Sequence, residues 1–271
     1  MSSALEVITP RRLAGLRIVK AADRPPFINM LVYGNSGVGK TRLAGSADAI
    51  PSMRKVLIID VEGGTLTLSH SYPNVDIVRV KTWDDMQAVY DELQAGNTDY
   101  NTVVIDSLTE IQKFNMYDIM SDLKKKHPDR DEDVPSMREW GINLEQMRKF
   151  VRAFRDMPIN TIFTALAKEE KNSRTGIIHK TPSLSGKLAG EVAAFLDIVC
   201  YMYKKEINGE LQHMLLTTST EEFVAKDRTG KLPLVIQNPT MAEIYKHIQS
   251  NHYQEQNKPI QETETKEVSN A

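Results

Sequence analysis

The run Gly34-Asn35-Ser36-Gly37-Val38-Gly39-Lys40-Thr41 constrains this chain more than any other feature. It fits the spacing G-x-x-x-x-G-K-[ST], and its flanks fit too: INMLVY (residues 28–33) reads as a strand running into it, and RLAGSADA continues as a helix. Glycines let backbone N–H groups turn inward around an anion that side chains would obstruct. The following helix points its N-terminal partial positive charge at the same place. Lys40 is then expected to reach the β- and γ-phosphates, and the Thr41 hydroxyl to ligate Mg²⁺. All eight residues are expected to cradle ATP with its Mg²⁺.

Downstream, short β-rich runs alternate with longer amphipathic ones. VLIID (56–60), residues 75–80, 102–106 and 161–165 also read as strands, most of them short and rich in Val, Ile, Leu or aromatics, as strands covered on both faces are. Thr82-Trp83-Asp84-Asp85 reads as a capping box, followed at helical spacing by Met86, Val89, Tyr90 and Leu93. Leu144, Met147, Val151 and Phe154 form a second stripe on a helix expected to begin near Trp140. Leu188, Val192 and Phe195 form a third after Pro182. The alternation predicts an α/β fold with a largely parallel central sheet flanked by helices. A hairpin, residues 198–203 against 211–217 around Asn208-Gly209, is expected at its C-terminal side.

Three segments follow: a basic arm over 1–26 ending in Pro25-Pro26, a core over 27–250, and a polar tail over 251–271 whose composition predicts disorder. The net charge of -2, from 34 basic and 36 acidic residues, gives no global signature of a polyanion partner, so any nucleic-acid surface must be local. The single cysteine, Cys200, excludes an internal disulfide and fits a reducing compartment. No apolar run approaches the roughly 20 residues of a membrane helix, and no secretory signal is evident. A soluble cytoplasmic protein with no membrane partner is expected.

A phosphate loop needs a carboxylate opposite it to help hold the metal. Asp106 ends the apolar strand VVID, where open α/β sheets bind their ligands, and is expected beside Mg²⁺ with Thr41. The next residue is Ser107 and not an acid, so the attacking water must be oriented from elsewhere. Glu62, in IDVEGG past a neighbouring strand, is the candidate general base, and Asp60 either joins it or ties down its loop.

The loop GNSGVGKT, the strand end IDVEGG, the strand VVIDSLTE and the later AKDRTG, in that order over roughly Phe27 to Pro233, resemble the RecA-like ATPases. The closer resemblance is to phage single-strand annealing proteins of the Sak-four group. It implies an ATPase acting on single-stranded DNA in recombination or annealing, located in the host cytoplasm if phage-encoded. It implies a homo-oligomer, ring or filament, and a single-strand-binding protein as a further partner. Glu62 matches the family's catalytic glutamate, and Thr164 falls where a γ-phosphate sensor is expected. Lys226 and Arg228 match the finger that reaches a neighbouring subunit's γ-phosphate, where cations stabilise transition-state charge. The basic arm corresponds to one that docks on the adjacent subunit.

Two polar stretches read as loops. Lys124-Lys125-Lys126-His127-Pro128-Asp129-Arg130 is followed by acids; residues 168–187 carry Lys168, Lys171, Arg174 and Lys180, cations suited to a single-stranded backbone. Tyr72 is either an adenine-stacking ring or a half-buried loop residue. Two other functions share the same phosphate loop: a small-molecule phosphotransferase, and a nucleotide-dependent binding module with vestigial turnover.

Overall fold

The computed structural model describes residues 12–14, 16–18, 20, 27–171 and 176–249; the rest of the expected arm, Arg174 and the tail after 249 lie outside the described residues. Two short strands, β1 (Arg12–Leu13) and β2 (Leu16–Arg17), pair antiparallel ahead of the core. β3 (Asn29–Tyr33) enters the phosphate loop and leaves it through α1 (Lys40–Gly45), which tightens into a 3-10 turn at Ser46–Ala49. β4 (Val56–Asp60), α2 (Leu68–Ser71), β5 (Asp76–Arg79) and α3 (Trp83–Gln94) follow. β6 (Thr102–Asp106) passes directly into α4 (Leu108–Lys126), and α5 (Met137–Arg155) returns to β7 (Asn160–Ala165).

The chain then makes β8 (Ala167–Lys171), β9 (Ile178–Pro182), α6 (Leu188–Phe195), β10 (Ile198–Ile207) and β11 (Glu210–Leu216). It closes with β12 (Lys226–Asp227), β13 (Val235–Gln237) and α7 (Met241–Gln249). Among the described residues no helix is long and apolar enough to cross a membrane.

The central sheet runs β13-β11-β10-β3-β7-β6-β4-β5, with β12 paired to β10. From β10 to β5 every neighbouring pair is parallel, and the pairs around β11, β12 and β13 are antiparallel. The fold is therefore mixed α/β with a largely parallel sheet, as the alternation of patterns predicts. Successive strand residues serve two cores. Leu31, Tyr33, Ile59, Ile105 and Phe163 face the side covered by α3, α4, α5 and α6. Met30, Val32, Ile58, Val104 and Cys200 face the side covered by α1, α2 and α7. β3, β4, β6 and β7 are buried on both faces, which is why they read without a polar-apolar alternation. Cys200 is fully buried in β10, and desolvation pushes its thiol pKa well up.

Helix starts follow local chemistry. Thr82 and Asp85 form the expected capping box at α3. α5 begins at Met137, three residues ahead of Trp140, because Ser136 and Glu139 form a second capping box there. Between α4 and α5 an amide ladder is buried: Gln112 donates to Asn143 at 2.9 Å, Asn143 to Asn115 at 2.8 Å, and Asn115 to Gln146 at 2.7 Å. The C-terminal hairpin of β10 and β11 turns on Asn208-Gly209, both with positive φ (55° and 80°). That is the geometry a two-residue hairpin requires.

Phe154 is fully buried, edge-on to Tyr90 at 5.2 Å and tilted against Phe150 at 4.9 Å. Truncating it leaves a cavity under the sheet. Phe154→Ala is expected to cost about 3–5 kcal/mol in urea denaturation, and a loss below about 1 kcal/mol would show that α5 is not anchored there.

Candidate functional site

The loop continues the ladder of its own strand. Gly34 N donates to the Ala165 carbonyl at 3.2 Å, and Ala167 N donates back to the Gly34 carbonyl at 3.2 Å. Gly34 lies so close to the Met202 carbonyl that a Cβ would collide with backbone, while Gly37 (φ 73°) and Gly39 (φ 101°) hold left-handed conformations. Val38 is buried and anchors the loop, and its carbonyl accepts from His213 Nδ1 at 2.8 Å, which places the ring proton on that nitrogen. Asn35, Ser36 and Gly37 face solvent.

Lys40 is buried, and its Nζ donates to the Gly34 and Asn35 carbonyls, both at 3.0 Å. Desolvation pulls its pKa down, and the nearby Glu62 and Asp106 carboxylates pull it back up. The ammonium thus rests on the loop that it is expected to leave when phosphates arrive.

Across the sheet rim, Thr41 Oγ1 donates to Asp106 Oδ2 at 2.6 Å and Thr164 Oγ1 donates to Asp106 Oδ1. Asp106 is only 2% exposed, so two hydroxyls fix both oxygens of a buried carboxylate. A carboxylate and a hydroxyl converging this closely are the oxygen donors a hard dication takes, and the residues fit Mg²⁺. Thr164, expected as a sensor of the γ-phosphate, sits on β7 between the loop strand and the acid strand and orients Asp106.

Glu62 is exposed, and its Oε1 accepts from the hydroxyl of Ser107, the residue that follows Asp106. The serine after Asp106 therefore holds the acid that follows the adjacent strand. Asp60 ties down the turn: its Oδ1 accepts from Gly63 N at 2.6 Å, its Oδ2 from Thr65 Oγ1 at 3.2 Å, and Arg79 pairs with it at 3.0 Å. Of the two readings of Asp60, the loop tie is the one its contacts support. Arg79 carries no motif and was not visible in the sequence.

The other candidates lie elsewhere. The stretch expected as a loop over 168–187 is largely ordered pairing: β8 and β9 form an antiparallel hairpin that leads into α6. One ion pair crosses between its polar strands and another lies within β8. Lys168 pairs with Glu170 at 2.6 Å; Lys180 pairs with Glu169 at 3.3 Å and lies over the rings of Phe223 and Tyr201. Lys171 is exposed, and Arg174 is outside the described residues. Lys124–Lys126, also expected in a loop, form the last turn of α4, where cations suit the helix C-terminus.

Lys226 and Arg228 do not approach Lys40 of the same chain. β12 pairs with Ile198 and Val199, which are level with Met30 and Leu31, at the end of the sheet away from the loop. Both cations cap α6: Lys226 Nζ donates to the Ala193 carbonyl at 2.8 Å, and Arg228 donates to the Ala194 carbonyl at 2.8 Å and to Asp197 at 3.0 Å. Burial lowers the Lys226 pKa, and Arg228 lowers it further.

Beside Gly39 opens a cavity of about 190 Å³ lined by Arg42, Tyr72, Met202, His213 and Asn238. Tyr72 is therefore next to the loop. The hairpin residues His213 and Met202, and Asn238 beyond β13, reach it from far along the chain and leave no local signal.

The profile of a family described as an AAA domain matches residues 27–229. No curated protein matches the chain. Among solved structures it is similar to a KaiC-like protein from the hyperthermophilic archaeon Pyrococcus horikoshii OT3, with 18% identity over 70% of this chain and 79% of that one and a TM-score of 0.42. It is also similar to the flagellar accessory protein FlaH from Methanocaldococcus jannaschii, with 11% identity over 78% of this chain and 85% of that one and a TM-score of 0.46.

Gly34→Ala is expected to push the loop off the Met202 carbonyl and to weaken ATP binding about ten-fold or more in a fluorescent-nucleotide titration, since overpacking against backbone costs roughly 1–3 kcal/mol. Wild-type affinity in that variant would show that the contact gives way freely.

Proposed function

The chain belongs to the AAA domain family, and from that premise we propose that it is a RecA-like ATPase, completed between copies of itself, that works on single-stranded DNA in recombination or annealing. The observation that carries the ATPase reading is the 2.6 Å contact of Thr41 with Asp106 beside a Glu62 carboxylate held by Ser107. Loop amides and Lys40 bind the phosphates, with Lys40 exchanging the Gly34 and Asn35 carbonyls for phosphate oxygens. Glu62 orients the attacking water and accepts its proton as water adds to the γ-phosphorus and ADP departs. Ser107 keeps that carboxylate aimed, and the Asp60 turn keeps its backbone in place. Mg²⁺, held by Thr41 and Asp106, would neutralise charge on the β- and γ-phosphate oxygens. The nucleoside would occupy the cavity beside Gly39, with Tyr72 at its wall.

Lys226 and Arg228 cannot serve their own loop from the far end of the sheet, which supports a role at a neighbour's γ-phosphate. Their contacts with α6 favour a second, purely structural reading. Lys168, Lys171 and Lys180, with Arg174, are the proposed DNA contacts, the arm over 1–26 the proposed link between subunits, and a single-strand-binding protein a further partner.

Glu62→Gln is expected to lower turnover at least about 100-fold with ATP binding kept. Arg228→Ala is expected to do the same, and mixing the two variants to restore activity, because one supplies Glu62 and the other the finger. A mixture that stays inactive while each variant melts like wild type would leave Arg228 a helix cap only. Addition of a single-stranded oligonucleotide is expected to raise the wild-type rate; an unchanged rate removes the DNA assignment. Deleting residues 1–26 is expected to lower the mass measured by light scattering.

A further inference from the structure

The last residue before the phosphate loop is a tyrosine whose hydroxyl is tied to residues distant in sequence. Tyr33 is fully buried, and its hydroxyl lies 2.9 Å from the Lys180 carbonyl on β9 and 2.8 Å from the Val224 carbonyl. Those partners are 147 and 191 residues away in sequence. Desolvation drives the phenol pKa up, so the group stays a donor. A phenol has one proton, and here it faces two acceptors, so two arrangements of the same hydroxyl exist.

The surroundings join the two acceptors. Lys180 N donates to the Glu222 carbonyl at 2.6 Å, and Val224 N donates to the Lys180 carbonyl at 3.3 Å, which stitches β9 to residues 222–224. Tyr201 packs on Tyr33 at 5.2 Å and on Phe223 at 4.6 Å, closing an aromatic cluster over the junction. Two residues beyond Val224 comes Lys226, then Arg228. The other strand of the hairpin is rooted at Gly34, whose carbonyl accepts from Ala167 N at 3.2 Å and from Lys40 Nζ at 3.0 Å. On the proposed nucleotide reading, arriving phosphates would draw Lys40 away and remove one of those two donors.

We propose that Tyr33 is a positioning residue whose hydroxyl makes the β8–β9 hairpin and the segment 222–228 follow the nucleotide state of the loop. The hairpin is held at both strands by adjacent residues, Gly34 at its root and Tyr33 at its return. A shift at Gly34 therefore reaches Lys180 and Val224 through the adjacent Tyr33 hydroxyl, which has either carbonyl as its acceptor. The segment carrying Lys226 and Arg228 moves with the second of them. The inference rests on the reading of Gly34–Thr41 as the nucleotide loop, and needs neither DNA nor a second subunit.

Amide hydrogen exchange tests it, using the full chain with and without a non-hydrolysable ATP analogue and Mg²⁺. In wild type the analogue is expected to slow exchange in 34–41 and, at the same half-saturating concentration, at Lys180 and Val224. In Tyr33→Phe, which keeps the ring in the core, the loop is expected to stay protected, while the nucleotide-dependent slowing at Lys180 and Val224 shrinks roughly five-fold, as loss of one hydrogen bond predicts. Equal slowing in the variant, or wild-type slowing confined to the loop, overturns the proposal. Wild type with no slowing in 34–41 overturns the nucleotide reading itself. If Tyr33→Phe fails to melt cooperatively, the wild-type titration decides alone, because unequal half-saturation at the loop and at Val224 refutes coupling.

Discussion

The parallel register of β3, β7, β6 and β4 is the constraint on which the rest of the molecule depends. Tyr33 is level with Ala165, Val32 with Thr164, Ile105 with Phe163, and Asp60 with Asp106. Four strands thus end within one residue of the same height, and the loop, the oriented acid and the Glu62 turn emerge side by side. A slip of one residue in β6 would carry Asp106 to the opposite face and bury it against the other core. β7 lies between the loop strand and the acid strand, so it is Thr164 that spans the gap from beneath while Thr41 spans it from above.

What the sequence made legible was what is contiguous. The phosphate loop states its chemistry in eight residues, and Asp106 and Glu62 are found because each ends an apolar run. The hairpin was not legible, since Lys168, Glu169, Glu170 and Lys171 are polar on both faces and show no two-residue period. Its pairing comes from the backbone ladder, from the Lys180–Glu169 ion pair across it and from the bridge to residues 222–224. Thr164 was placed correctly at a strand end but not given its partner, because a hydroxyl that serves a carboxylate on the neighbouring strand looks like any buried threonine. His213 and Tyr33 belong to the same class: their partners are set by topology and not by neighbours in the chain.

Charge behaves similarly. The near-neutral total is repeated locally, for the lysines of the hairpin are partly compensated by glutamates on the same strands. Long-range attraction of a polyanion to such a surface is weak, and contact depends on short-range geometry. The same economy appears at Lys226 and Arg228, whose positive charge is spent on helix carbonyls and Asp197.

Cys200 has a practical side. It is the single cysteine of the chain, sealed within β10 with its ionisation suppressed. A buried, protonated thiol is a poor nucleophile towards alkylating dyes. The natural background is therefore already that of a cysteine-less protein for spectroscopists. One substitution on the exposed hairpin, such as Lys171→Cys, gives a uniquely addressable thiol without disturbing the core, so distances from the hairpin to a labelled nucleotide are open to direct optical measurement.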